Sequence, residues 1–335
     1  MRQKIVIPKT KQKKLEAIVN KFSDVKILII GDFILDQYVW GNVSRISPEA
    51  PVPVVEVKRE TYVPGGALNV GNNIKTLEAS IFPCGVVGRD LVGRMLLKLV
   101  KNEGIDTGGI VVDADRPTTL KTRVIAHSQQ VVRFDRESQD DVIQKDRKNM
   151  IDFCRKKIKN VDGIIIEDYG KGVIVPELLK EILPLAKRHN VFVAVDPKEK
   201  HFAYYKNVSV LTPNKKEAFG AVGVSLEDKR ISVEDVGKRL IKKIGCEAVL
   251  ITLGEEGMLL CERGGRVTKI PTAAREVFDV SGAGDTVIAV LSLALGSGAS
   301  FPDAAMIANI AAGIVVGKVG AASVTKEELL SHFGS

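Results

Sequence analysis

Five stretches of this chain are continuous apolar runs that stop at a small or polar residue. The first is VKILIIGD (Val25–Asp32), and the pattern returns in DGIIIED (Asp162–Asp168), VFVAVD (Val191–Asp196), VSVLT (Val208–Thr212) and AVLITLG (Ala248–Gly254). A strand with one wet face alternates apolar and polar residues. A strand buried on both faces does not, and that is the habit of parallel sheets covered by helices. Helical patterns separate most of these runs: Pro176–His189, Lys215–Ala221 and Val233–Ile244. Strand and helix in alternation predict an α/β fold, a doubly wound and mostly parallel sheet flanked by helices. In such sheets the ligand crevice lies outside the carboxyl ends of the strands.

Two segments depart from this rhythm. VPVVEVKRETYV (Val52–Val63) alternates, with Pro51 before it and Pro53 inside it, which suits an edge strand. TTLKTRVIAHSQQVVRFDRE (Thr118–Glu137) reads as a hairpin. Together they predict a small β-sheet lid, with strands within 38–63 and 118–136, on a single domain spanning 26–335. The 335 residues suffice for a large core.

The net charge of +8 is concentrated at one end: residues 1–26 hold eight Lys or Arg against Glu16 and Asp24. The rest of the chain is nearly balanced, so the total charge is weak support for nucleic-acid binding. Residues 1–25 read as a basic, solvated, partly helical leader whose removal (Met1–Asp24) should spare activity. Cys84, Cys154, Cys246 and Cys261 show neither metal-ligand spacing nor a disulfide framework, and the four histidines show no ligand spacing. No secretory signal is visible, and the runs VIAVLSLAL and MIANIAAGIVVG are too short to cross a bilayer. A cytoplasmic protein without a membrane partner is expected.

The stretch FDVSGAGDTV (Phe278–Val287) sets Gly282, Ala283 and Gly284 directly before Asp285, at the start of an apolar helix. Small residues there let a ligand approach the unpaired amides of a helix N-terminus, which is an anion site. A carboxylate in the same turn repels phosphate, but it can take a proton from a hydroxyl that attacks phosphate. The alternative is a plain N-terminal turn packed tightly on the sheet. In VLTPNKKEAFG, Asn214 and Glu217 lie three apart on one helical face, suited either to water-mediated Mg²⁺ binding or to a capping box. ITLGEEG ends a strand in a glycine turn that could seat a nucleotide. PGGALNVGNN (Pro64–Asn73) opens another helix with Asn69 in its first turn, placed to meet a polyhydroxylated ligand.

With these motifs together the chain resembles the ribokinase-like (PfkB) carbohydrate kinases. GGALNVGNN and DVSGAGDTV match that family's two signatures in order, and TPNKKE resembles its Asn-x-x-Glu motif. The likeness runs from about Lys26 to the C-terminus. Within the family, SRISPEAPVPVV, LKTRV, QQVVRFD, DYGKG, DPK and LTPN resemble the D-glycero-β-D-manno-heptose-7-phosphate kinases. Many bacteria fuse that kinase to an adenylyltransferase. The chain carries no H-x-G-H motif and resembles the stand-alone kinase. Ser281 stands where the family commonly has Thr.

The resemblance implies ATP and Mg²⁺ as cofactors and transfer of a phosphoryl group to the anomeric oxygen O1 of heptose 7-phosphate, a step toward ADP-heptose. It implies Asp285 as the base, Gly282, Ala283 and Gly284 as the anion hole, and Asn214 and Glu217 as the water-mediated Mg²⁺ and phosphate site with Lys198 nearby. Thr252, Gly254 and Gly257 would border the nucleotide and Asn309 the adenine. Asp32, Asp36, Gly65, Gly66 and Asn69 would hold sugar hydroxyls. GAASVT (Gly320–Thr325) resembles a loop that helps hold a monovalent cation in relatives.

A heptose 7-phosphate also carries a dianion away from its reacting oxygen. Lys121 and Arg123, two apart on a strand, face one side and could read that phosphate, Arg123 chiefly. Arg133 and Lys171 could join them, or be solvated surface charges. The rival readings are a ribokinase-like enzyme acting on fructose, ribose or a nucleoside, and a nucleic-acid-binding protein using the leader, where Phe22 is the one aromatic residue. The uncovered edge of the lid predicts a homodimer in which two lids pair.

Overall fold

The computed structural model describes residues 8–127, 129–274, 277–318 and 322–333. Among the described residues the large sheet has nine strands. From one edge they are β13 (Val267–Ile270), β12 (Met258–Glu262), β11 (Ala248–Thr252), β10 (Val210–Leu211), β9 (Phe192–Asp196), β8 (Gly163–Glu167), β1 (Lys26–Gly31), β4 (Ser80–Gly88) and β5 (Gly109–Asp113). The seven strands from β11 to β5 are mutually parallel, and β12 and β13 add an antiparallel margin.

The apolar runs follow from helices on both faces. In β1, Ile27 and Ile29 feed the core beneath the helices Ala67–Thr76, Ala283–Gly296 and Phe301–Val315. Leu28 and Ile30 feed the opposite core, beneath Gln144–Lys157, Pro176–Arg188 and Val233–Ile244. Successive side chains point to opposite faces, so a strand with two dry faces has no polar position to spare. All four cysteines are buried and free. Among the described residues no helix is long and apolar enough to cross a membrane.

The second sheet has four strands among the described residues, in the order β3 (Pro53–Gly66), β2 (Phe33–Ile46), β6 (Thr119–Ala126) and β7 (Gln129–Arg136). β6 and β7 form the expected hairpin. β2 is longer than the sequence pattern suggests. It leaves the large sheet two residues after β1 and pairs back from Phe33↔Gly66 to Ile46↔Pro53, with irregularities near Gly41 and Arg45. The lid therefore springs from the carboxyl end of a central strand, and β3 returns straight into the Ala67 helix.

From Pro8 on, the leader is not a solvated tail. Lys9–Val19 is a helix, and Leu15, Val19 and Phe22 are fully buried in the same core as the Ala283 helix. Lys14 Nζ also binds Asp303 at 2.6 Å. The spacing 15, 18, 19, 22 is an amphipathic stripe, masked by the lysines between its members. Deleting Met1–Asp24 would strip side chains from the core, so that truncation tests stability rather than nucleic-acid binding. Leu15→Ala is expected to cost about 2–5 kcal/mol of unfolding free energy by denaturant titration. Lys13→Ala, on the exposed side, should stay within about 0.5 kcal/mol.

Candidate active site

The Ala283 helix begins behind Gly282, which adopts the left-handed conformation (φ 78°). A Cβ there would stand 3.1 Å from Asn69 Nδ2, so the absent side chain also leaves Asn69 its place. Asp285, in the first turn, is buried with both oxygens held: Asn69 Nδ2 donates to Oδ2 at 2.5 Å and the Tyr169 hydroxyl donates to Oδ1 at 2.9 Å. Burial pushes the carboxyl above its ordinary range, and these two bonds pull it back toward the ionised form. At the next residue, Thr286 Oγ1 donates to Asn73 Oδ1 at 3.0 Å. Asn69 and Asn73 share a face of the Ala67 helix, so the two glycine-rich helix starts lock together through paired polar contacts.

Of the three small residues expected to form the anion hole, Ala283 spends its amide on Val280 O at 3.2 Å. The Gly284 and Asp285 amides belong to the first turn, where no earlier helical carbonyl reaches them. This turn separates two cavities. One, of about 380 Å³, is lined by Thr252, Gly254, Gly257 and Asn309, with Met258, Ala283, Gly284 and Val316 among its walls. Its surface is largely apolar, as a base-sized ligand requires. Asn309 Nδ2 donates to Pro271 O at 2.8 Å, which ties its amide to the cavity wall.

The other cavity, of about 110 Å³, lies under the lid, and Asp36, Gly66, Asn69, Lys121, Arg123, Tyr169, Gly282 and Asp285 line it. Arg123 is ion-paired to Asp36 at 2.5 Å and lies over the Tyr38 ring. Lys121 has no carboxylate within ion-pair distance among the described residues. Its ammonium sits 5.2 Å from the Tyr169 ring centre, and burial draws its pKa down. Lys121 is thus the less committed cation, contrary to the expectation that favoured Arg123.

Four residues expected to touch the substrate, Asp32 and Gly65 at the sugar hydroxyls and Arg133 and Lys171 at the distal phosphate, stand elsewhere. Asp32 is buried and accepts from the amides of Tyr169, Lys171 and Val173 at 2.9, 3.1 and 3.2 Å. It anchors the DYGKG loop and does not face the cavity. Burial and the Asp168 charge nevertheless push its pKa up to about 6. Gly65 lies just outside the wall, where a side chain would strike the Asp36 carboxylate. Arg133 pairs with Asp135 at 3.1 Å on exposed β7. Lys171 Nζ binds Glu137 at 2.5 Å.

On the phosphate side, Asn214 and Glu217 form a reciprocal capping box: Glu217 N donates to Asn214 Oδ1 and Asn214 N to Glu217 Oε2, each at 3.0 Å. Glu217 remains close enough to raise the pKa of the partly buried Asp196, which desolvation, Glu217 and Asp285 together push up to about 8. Lys198 offsets part of the Glu217 charge. The cation loop expected at Gly320–Thr325 lies partly outside the described residues.

Three residues the sequence reading did not single out complete the site: Tyr169, Glu167 and Asp196. Each ends or follows a strand, where the crevice was expected. The burial of Glu167, and the convergence of DYGKG on Asp285 across more than a hundred residues, cannot be read from spacing. Tyr169→Phe is expected to lower kcat roughly 10-fold or more, the loss of a charge-assisted bond, with the KM for ATP unchanged. That bond lowers the Asp285 pKa, so removing it raises the pKa. A base works only when ionised, and the acid limb of the kcat–pH profile should move to higher pH. An unchanged rate and limb would show that Tyr169 does not act on Asp285.

A family model described as pfkB family carbohydrate kinase matches residues 24–328. The chain is 46% identical over 323 residues, 96% of its length, to the bifunctional protein HldE of Geobacter sulfurreducens, and spans 66% of that protein. It is 46% identical over 304 residues, 91% of its length, to the HldE protein of Helicobacter pylori strain J99, and spans 65% of it. The chain therefore covers just under two thirds of the curated relatives it matches. The fold is similar to Escherichia coli phosphofructokinase-2 in complex with potassium (TM-score 0.73, 15% identity, covering 92% of this chain and 98% of that one). It is also similar to Arabidopsis thaliana ribokinase complexed with ribose and ATP (TM-score 0.69, 17% identity, 92% and 98%).

Proposed function

Because the chain belongs to the pfkB family of carbohydrate kinases, and is thus a sugar kinase, we propose that its acceptor is a phosphorylated sugar, D-glycero-β-D-manno-heptose 7-phosphate, and its product the 1,7-bisphosphate. The observation that carries this reading is Lys121 in the lid cavity: a half-buried ammonium with no carboxylate partner among the described residues, in the cavity that holds Asp285. A neutral sugar has no use for it. A second phosphate does.

ATP lies in the apolar cavity with its phosphates toward the Gly284 amide. The sugar lies under the lid with its hydroxyls near Asn69 and Asp36. Asp285 accepts the proton of the anomeric hydroxyl as that oxygen attacks the γ-phosphorus, and the bond from that phosphorus to the β,γ-bridging oxygen breaks to release ADP. Asn69 and Tyr169 hold the carboxylate plane, and the first-turn amides meet charge on the transferring group. The lid covers the reacting centre and excludes water, which would otherwise accept the phosphoryl group.

Mg²⁺ fits this site. Asp196 and Glu217 crowd one another beside the phosphate path, and neither is ion-paired with Lys or Arg among the described residues. Glu217 and Asn214, through water, together with Asp196 would hold it, and when bound it neutralises charge on the ATP phosphates.

The lid also supports a homodimer. Val132 and Phe134 are 48% and 58% exposed. They pair with Val124 and Thr122, on the sheet face opposite Lys121 and Arg123. A second lid would cover them. Light scattering at micromolar concentration should give a dimer, and Phe134→Lys a monomer.

The test of substrate is turnover with ATP across a panel: heptose 7-phosphate, the unphosphorylated heptose, fructose, fructose 6-phosphate, ribose and adenosine. The heptose phosphate should have the highest kcat/KM. A higher value for fructose, ribose or the nucleoside would replace this reading with a rival.

A further inference from the structure

Asp168 stands one residue past β8, and the DPK turn, Asp196–Lys198, closes the neighbouring strand β9. The Asp168 side chain is fully buried, and no Lys or Arg among the described residues pairs with it. Such a group is costly to bury unless hydrogen bonds answer it. Here three do. The Gly170 amide donates to Oδ1 at 2.7 Å, and His201 Nδ1 and the Tyr205 hydroxyl donate to Oδ2 at 2.7 and 2.6 Å. Each donor lies either in the DYGKG loop or in the segment that folds back from the DPK turn through the short helical turn Glu199–His201.

Tyr205 does more than fill space. It is fully buried, and a phenylalanine would pack nearly the same volume. Its oxygen has two partners: it donates to Asp168 and accepts from the Lys198 amide at 3.1 Å. Burial and the Asp168 charge push the phenol pKa up, which keeps the proton on that oxygen. A bridge from the Lys198 amide through Tyr205 and Asp168 to the Gly170 amide therefore ties the two loops together. The Lys198 side chain spans the same gap. Gly170 is left-handed (φ 69°), and a Cβ there would stand 3.4 Å from Lys198 Cγ and 3.7 Å from Cε. The lysine stem is thus laid across the loop that also carries Tyr169 to Asp285. Its ammonium acts on Glu217, on the phosphate side, and has no carboxylate within ion-pair distance among the described residues.

We propose that Tyr205, held by Asp168, is a positioning residue: it fixes the root of Lys198 so that the ammonium, reaching across Gly170, meets the γ-phosphate of ATP. A lysine stem is flexible, and its point charge finds a phosphate only as well as the stem is aimed. Holding the stem at its backbone by Tyr205 and along its length by Gly170 removes most of that freedom before nucleotide arrives. The role rests on the nucleotide placement given above, with its phosphates toward Gly284. It does not depend on which sugar is the acceptor.

The test compares ATP with ADP by calorimetry on the full-length protein with Mg²⁺. No sugar is present, so the result is independent of the turnover panel that decides the acceptor. Lys198→Ala should weaken ATP binding by about 10–100-fold, the worth of a charge-assisted contact, and leave ADP binding nearly unchanged. Tyr205→Phe should weaken ATP binding by about 3–10-fold, the worth of one neutral hydrogen bond, and again spare ADP. The double variant should bind ATP as Lys198→Ala does, because Tyr205 acts through that lysine. Thermal melting is measured in parallel. A hydroxyl that served only the fold would lower the Tm of Tyr205→Phe and leave the preference for ATP over ADP intact, and that result would overturn the proposal. Additive losses in the double variant would overturn it too. An unchanged preference for ATP in Lys198→Ala would overturn it even if Tyr205→Phe failed to fold.

Discussion

Asp285→Asn should lower kcat by about 10²–10⁴-fold, the usual worth of a general base. The amide can still occupy the pocket between Asn69 and Tyr169, with its oxygen toward one donor and its nitrogen toward the Tyr169 oxygen. The helix start and the nucleotide cavity should therefore survive, and ATP affinity measured by calorimetry should change little. The two measurements together matter. A large loss of both rate and ATP affinity would show that the turn had collapsed. A variant that kept more than about a tenth of wild-type kcat would show that the proton leaves by another route.

Lys121→Ala should lower kcat/KM for heptose 7-phosphate by roughly 10–150-fold, equivalent to about 1.5–3 kcal/mol for a charge-assisted contact. The unphosphorylated heptose, already a poor substrate, should be almost indifferent, and so should the KM for ATP. Arg123→Ala should behave differently. Its guanidinium is bound to Asp36, so removing it leaves an unpaired carboxylate among the sugar hydroxyls. Both substrates should then suffer. Equal losses on both substrates in Lys121→Ala would show that this lysine does not read the phosphate.

Much of this architecture was legible because both dry faces of each central strand leave a mark. Val25–Asp32 and Asp162–Asp168 could hardly be anything but buried strands, and their ends marked the crevice. The small-residue start of the Ala283 helix was legible in Gly282–Asp285, but that stretch alone left open whether the acid serves chemistry or only packs the turn. The leader was misjudged since seven cations hide a stripe of only four apolar residues. Asp32 was taken for a ligand because a strand-terminal aspartate looks the same whether it faces a sugar or three backbone amides. Arg123 was preferred over Lys121 because sequence shows which cations share a face but not which of them already holds a carboxylate. Tyr169 and Glu167 could not be weighed at all. Their meaning depends on contacts with Asp285 and Asp196, which only the folded sheet brings together.

The most direct measurement is the identity of the product. The protein, ATP, Mg²⁺ and D-glycero-β-D-manno-heptose 7-phosphate should be followed by phosphorus NMR. The account predicts a second sugar phosphate resonance, coupled to the anomeric proton, growing in step with ADP while the 7-phosphate signal persists. ADP formed without that resonance, or a new phosphate on any other carbon, would contradict it.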